Sequence, residues 1–223
     1  MNPLKIGLMV PANNTTMEGE LLKWLPAGSS CSTIKIPRGA GMLTRETVPA
    51  YKAKALELAA QQFAGKDLDL VVYGCTAAGF IYGPQGDAEL AAQLAATTDR
   101  PVVTTASAMV RVLQEDGAKT VAVVTPYQDR VNEQLTAFLA ASGIGVKRLS
   151  SFKASTTEEL GRITAQQVAQ RARETMGDDC DAMFIACSQL PTHAILAGLR
   201  SEMGRPVWSS IQASAWQTEE RLS

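Results

Sequence analysis

The segment Asp67-Leu-Asp-Leu-Val-Val-Tyr-Gly-Cys75 returns later in the chain as Asp179-Cys-Asp-Ala-Met-Phe-Ile-Ala-Cys187. Each copy is an acidic approach, a short run of apolar residues, a small residue and a cysteine. An apolar run of this length without polar alternation is the pattern of a strand buried on both faces of a parallel sheet. Written twice, it implies a chain built from two copies of one α/β unit.

Outward from these segments the repeat continues. Ile6-Gly-Leu-Met-Val-Pro11 matches Val121-Ala-Val-Val-Thr-Pro126, which brings Glu18 opposite Glu133, and Arg100-Pro-Val102 matches Arg205-Pro-Val207. The anchors keep their order while the spacing between copies shrinks slowly. Strands are expected at 5–10, 32–36, 70–73, 101–104, 120–125, 146–149, 182–185 and 207–209, with helices in the intervals. The expected fold is α/β, with two pseudo-symmetric doubly wound lobes, each holding a four-stranded parallel sheet. The lobes cover residues 1–115 and 116–223, with exchange of the terminal helix between them left open. Ligands of open parallel sheets bind beyond the carboxyl ends of the strands. A pseudo-dyad turns both sets of ends toward one cleft, and Cys75 and Cys187 each stand at such an end.

Composition narrows the function. The 223 residues are 46% hydrophobic and 19% charged, with 21 basic against 22 acidic residues and a formal net charge of -1. No basic stripe points to nucleic acid, and no polybasic cluster to an anionic membrane. The opening stretch, 1–10, has one lysine and an apolar run too brief for a signal peptide, which points to the cytoplasm. In that compartment Cys31, Cys75, Cys180 and Cys187 are expected as thiols. A metal site is not expected, because paired CxxC spacing is missing and His193 is the single histidine. No GxGxxG follows the first strand and no GxxxxGK[ST] occurs, so a dinucleotide or nucleotide cofactor is not expected either.

The two repeated cysteines carry the chemical reading. Each follows a strand and precedes a residue that opens a helix, in Gly-Cys75-Thr-Ala-Ala-Gly and Ala-Cys187-Ser-Gln-Leu-Pro. Free backbone N–H groups and the positive end of a helix dipole lower a thiol's pKa there, which favours a thiolate nucleophile or base. Buried strand cysteines are common as small hydrophobes, but matched placement in both repeats argues for a working pair. Cys31 and Cys180 have no counterpart in the repeat and read as structural. His193, six residues past Cys187, either pairs with that thiol or caps a helix. Gly83-Pro-Gln-Gly86 reads as a turn before a helix.

After the first strand, Pro11-Ala-Asn-Asn-Thr-Thr-Met-Glu18 is a turn and helix start, in which Thr15 can cap and Asn14 face a ligand. Two amides and two hydroxyls beside free N–H groups also form an anion cradle that needs no fixed positive charge. The matching loop of the second half carries Pro126-Tyr-Gln-Asp, where the Tyr127 phenol either donates to a carboxylate or covers the core.

These residues resemble the Asp/Glu racemase superfamily, in particular its branch of maleate cis-trans isomerases and arylmalonate decarboxylases, over nearly the whole chain. The first loop, 11–18, and Ala186-Cys-Ser-Gln-Leu-Pro191 look like those of maleate isomerases. The resemblance implies a cofactor-independent isomerase acting on maleate or a close dicarboxylate. Cys75 would attack the alkene, and Cys187 on the opposite side would handle the proton. It implies substrate binding by Asn14, Thr15, Thr76, Tyr127, Thr157 and Ser188, no metal, and a homodimer or higher homo-oligomer. Where maleate isomerases carry a substrate-binding asparagine, Ser155-Thr-Thr-Glu-Glu-Leu-Gly-Arg162 places Thr157, with a shorter reach and one donor fewer. The segment Gly74-Cys-Thr-Ala-Ala-Gly-Phe-Ile-Tyr-Gly83 is similar to the decarboxylases apart from its cysteine, and those usually keep only the second thiol. Three alternatives stay open: a two-thiol racemase of an amino acid or hydantoin-like acid, an arylmalonate-type decarboxylase, and a non-catalytic anion-binding module.

Overall fold

The structure, a computed structural model, describes residues 2–39 and 41–223. The first half runs β1 (Lys5–Pro11), α1 (Met17–Trp24), β2 (Ser30–Ile36), α2 (Val48–Gln62), β3 (Leu70–Tyr73), α3 (Thr76–Phe80), α4 (Gly83–Thr98), β4 (Val102–Thr104) and α5 (Thr105–Glu115). The second runs β5 (Thr120–Thr125), α6 (Asp129–Ala141), β6 (Gly145–Ser151), α7 (Thr157–Gly161), α8 (Ala165–Thr175), β7 (Ala182–Ile185), α9 (His193–Met203), β8 (Val207–Ser209) and α10 (Ser210–Leu222). The two four-stranded sheets have the orders β2-β1-β3-β4 and β6-β5-β7-β8, every pairing parallel. They are one topology used twice, as the repeat predicts.

Helices on both faces explain the uninterrupted apolar strands. All four residues of β3 and all four of β7 are buried, which only a sheet covered on both sides allows. The outer strands differ. β2 and β6 are mostly half-buried or exposed, and both strands extend beyond the expected 32–36 and 146–149 because edge residues with polar side chains give a weak apolar signal. The expected turn at 83–86 is the first turn of α4, entered through Gly83 at φ +77°, a conformation that suits a residue without a Cβ.

Two features of this topology locate the site. In each sheet the chain leaves the central strand on one side to form the second strand and returns on the other to form the third. The loops after β1 and β3, and after β5 and β7, therefore part at a switch point, where a crevice must open. The second feature is the join between the halves. The helix α10 packs against α1 and α5, and Gly41 and Thr156 form an antiparallel bridge between the loop after β2 and the loop after β6. Arg130 adds an ion pair to Glu46 at 3.2 Å. The two crevices thus face each other with a bridged roof across them. Among the described residues no helix is long and apolar enough to cross a membrane.

Candidate active site

Both switch points empty into one cavity lined by Asn14, Cys75, Thr76, Tyr127, Cys187 and Ser188. Arg38, Met42 and Leu43 from the loop after β2 and Leu160 of α7 also line it. Of the residues the sequence nominates, these first six are brought together. Thr15 is exposed and Thr157 half-buried, and neither lines the cavity. The cavity encloses about 30 Å³ of open space, room for about one or two water molecules.

The first loop is fixed by its own amides. The Asn14 Oδ1 accepts from the N–H of Met17 at 2.9 Å and of Thr16 at 3.1 Å, so Asn14, rather than Thr15, satisfies the first N–H groups of α1, whose N-cap position is Thr16. Its Nδ2 donates to Ser188 Oγ at 3.1 Å, and Ser188 donates onward to the Gly74 carbonyl at 2.6 Å. An amide has two N–H donors, and Asn14 commits one of them to Ser188. Thr15 turns outward and clasps Gln189 instead, with its N–H on Oε1 at 2.9 Å and its Oγ1 accepting from Nε2 at 3.1 Å. These bonds cross from one half to the other beside both cysteines.

Cys75, two residues past β3 and directly before α3, has ordinary extended backbone (φ -119°, ψ 93°), whereas Cys187 has φ 143°. A side-chain-bearing residue in that region costs about 1–3 kcal/mol, so its surroundings must hold it there. Ser210, fully buried at the start of α10, does so: its Oγ accepts from the Cys187 N–H at 3.0 Å and from Thr76 Oγ1 at 3.1 Å. Ser210 has no motif around it and is invisible in the sequence. Ser210→Ala is expected to cost about 1–3 kcal/mol in denaturant unfolding and to lower turnover. An unchanged midpoint would show that the Cys187 backbone is held by other contacts.

Each thiol has a phenol against it. The Tyr127 hydroxyl lies by Cys187 and Tyr51 of α2 lies by Cys75, and neither phenolic oxygen has a hydrogen-bond partner of good geometry. Phe80 meets the Tyr127 ring edge-on at 5.6 Å, fixing its plane. Tyr51 was not among the residues nominated from the sequence. Arg38 was missed as well, and it corrects the expectation of a cradle without fixed positive charge.

The expected depression of the thiol pKa values is overturned. Burial pushes the Cys75 thiol up to about 11, although the Ala78 N–H and the Arg38 charge pull it down. Cys187 is also raised, mainly by burial, against the opposing pull of the Gln189 N–H, the Tyr127 hydroxyl and Arg38. The helix behind Cys75 is only five residues long, too short for its dipole to offset desolvation. A Cys187 thiolate raises Cys75 further, so the pair holds at least one proton near neutral pH. Alkylation of Cys75 by neutral iodoacetamide should therefore climb about tenfold per pH unit from pH ~7 to ~10. A rate already level at pH ~7 would mean a depressed thiol after all.

The remaining candidates fall elsewhere. The N–H of His193 donates to Glu20 at 3.0 Å and its ring packs on Trp24 at 4.7 Å, so it starts α9 and stands outside the cavity lining. Cys31 is half-buried in β2 and Cys180 is buried before β7, both apart from the cavity. Among the described residues no cluster of three or more His, Cys, Asp or Glu is arranged to hold a metal ion.

Comparison with known proteins agrees with the geometry. The arylmalonate decarboxylase family pattern matches residues 6–223. A maleate isomerase of Nocardia farcinica is 29% identical over 95% of this chain and 87% of its own length. One of Alcaligenes faecalis is 26% identical over 100% and 91%. A solved structure described as a cysteine-to-serine mutant of the Nocardia farcinica maleate cis-trans isomerase with a covalently bound succinylcysteine intermediate superposes with a TM-score of 0.90. It is 25% identical and covers 99% of this chain and 93% of that one. The chain belongs to the arylmalonate decarboxylase family, in its maleate isomerase branch.

Proposed function

We propose that this protein is a cofactor-independent isomerase that converts maleate, or a close cis-dicarboxylate, to the trans isomer by reversible addition of Cys75. The observation that carries the reading is the pair of thiols at equivalent switch points on one enclosed cavity. Around them Asn14 keeps a second amide N–H and Tyr127 a hydroxyl for a ligand, while Thr76 and Ser188 give their hydroxyl protons to Ser210 and Gly74.

The chemistry follows from that arrangement. Cys75 first loses its thiol proton to water, and its raised pKa makes the thiolate a minor population near neutral pH. The thiolate then adds to one alkene carbon, and the π pair moves to the other, where it spreads into the neighbouring carboxylate. Donors aimed at that carboxylate stabilise the charge as it develops. Cys187 delivers its proton to the carbanionic carbon, the former double bond turns as a single bond, and the Cys187 thiolate removes a proton again as Cys75 leaves. Protons and electrons balance without an external oxidant or reductant. The loops that form the roof must give way to admit a four-carbon diacid, since the enclosed space of about 30 Å³ suits only water.

That relatives along the whole chain are maleate isomerases supports this reading. The family also includes decarboxylases, so the test runs both reactions side by side. Purified protein without added metal or nucleotide is incubated with maleate and, separately, with phenylmalonate. Fumarate formation without carbon dioxide release is the expected result. Carbon dioxide from phenylmalonate with maleate untouched would replace the isomerase with a decarboxylase.

A further inference from the structure

Among the described residues, Arg38 is the only charged side chain that lines the cavity. It comes from the roof loop after β2, whereas Asn14 and Ser188 reach the same cavity from the loops after β1 and β7. Its Nη2 donates to the Gly41 carbonyl at 3.1 Å and touches the Met42 sulfur at 3.5 Å. Its Nε is buried and has no partner. Several outer arginines meet carboxylates, Arg111 at 2.5 Å from Glu220, Arg148 at 2.9 Å from Asp179 and Arg173 at 2.6 Å from Glu202; Arg100 shares the unpartnered Nε with Arg38 but stands outside the cavity lining. Among the described residues no carboxylate lines the cavity to meet Arg38. A buried guanidinium donor without an acceptor is unfavourable, and the planar fork of arginine matches a carboxylate. The positive charge is felt at both thiols, lowering Cys75 and Cys187 against burial. It therefore sits within electrostatic reach of the reacting atoms.

We propose that Arg38 is the counter-ion of one substrate carboxylate, held at the roof while the Asn14 amide and the Tyr127 hydroxyl hold the other, and that it makes the cavity select dianions over monoanions. The inference deepens the maleate reading and rests on it only for the identity of the ligand.

Two alkylating agents of nearly equal size test it without turnover: iodoacetate, an anion, and iodoacetamide, which is neutral. Their rate ratio at Cys75 is measured by peptide mapping in the wild type, Arg38→Gln and Arg38→Lys. Any change in thiolate fraction affects both reagents alike and cancels in the ratio. The ratio should fall at least about tenfold in Arg38→Gln and stay within about threefold of wild type in Arg38→Lys. A ratio unchanged in Arg38→Gln overturns the proposal. Should that variant fail to fold, the wild type alone decides. Succinate should protect Cys75 from iodoacetamide at concentrations at least about tenfold lower than succinamate, its monoamide, and equal protection overturns the proposal. A wild type that leaves maleate unchanged yet shows the ratio effect keeps Arg38 as an anion site and sinks only the isomerase reading.

Discussion

Cys75→Ser is expected to lower kcat/KM for maleate by about 10³-fold or more, with the fold intact. The side chain is 5% exposed just past β3, and serine fills nearly the same volume there, so unfolding should shift by no more than about 1–3 kcal/mol for a hydroxyl in place of a thiol. Chemistry suffers far more. Among the described residues no His, Lys, Asp or Glu lines the cavity to ionise a hydroxyl, and burial that already raises a thiol to about 11 raises a hydroxyl further still. Steady-state kinetics beside a thermal melt measure both quantities. Turnover within tenfold of wild type would remove Cys75 from the role of nucleophile.

Cys187→Ser is expected to cost a comparable factor in turnover but to leave a different trace. Addition at Cys75 needs a thiolate and a proton that water can slowly supply, whereas elimination needs a base held against one particular C–H bond. With that base gone the adduct should outlive the reaction. Intact-mass measurement after incubation with maleate should show a gain of one maleic acid, mapped to the peptide carrying Cys75. Wild type should show none once maleate is consumed. A gain confined to Cys31 or Cys180 would indicate ordinary thiol addition to an activated alkene.

Much of this arrangement is legible in the sequence because it depends on repetition and on burial of whole strands. The apolar runs at 70–73 and 182–185 mark the third strand of each sheet, and their cysteines fall at the switch points by topology alone. The loops after β1 and β5 are legible for the same reason, so Asn14 and Tyr127 reach the cavity. Arg38 and Tyr51 are not. They have no counterparts in the repeat, and their approach to Cys75 depends on how the roof loop folds back to its bridge between Gly41 and Thr156. Ser210 is hidden because it acts through a backbone N–H. The thiol pKa shifts were misjudged because motif position reveals a nearby helix end but not the depth of desolvation, and here burial outweighs a helix of five residues. In the first loop only the capping differs from expectation: Asn14 lines the cavity as expected and also takes the N–H groups at the start of α1, because either side chain can do so and Gln189, 174 residues away, takes Thr15.

Proton NMR in deuterated buffer, with maleate as the only addition and wild type beside Cys75→Ser, follows the exchange of bonds at Cys75 directly. The olefinic signal of maleate should give way to that of fumarate only when the thiol is present. Unchanged maleate, from protein whose Cys75 still reacts with iodoacetamide and which places deuterium on the α-carbon of a chiral acid, would contradict the isomerase reading and make the pair of thiols a racemase.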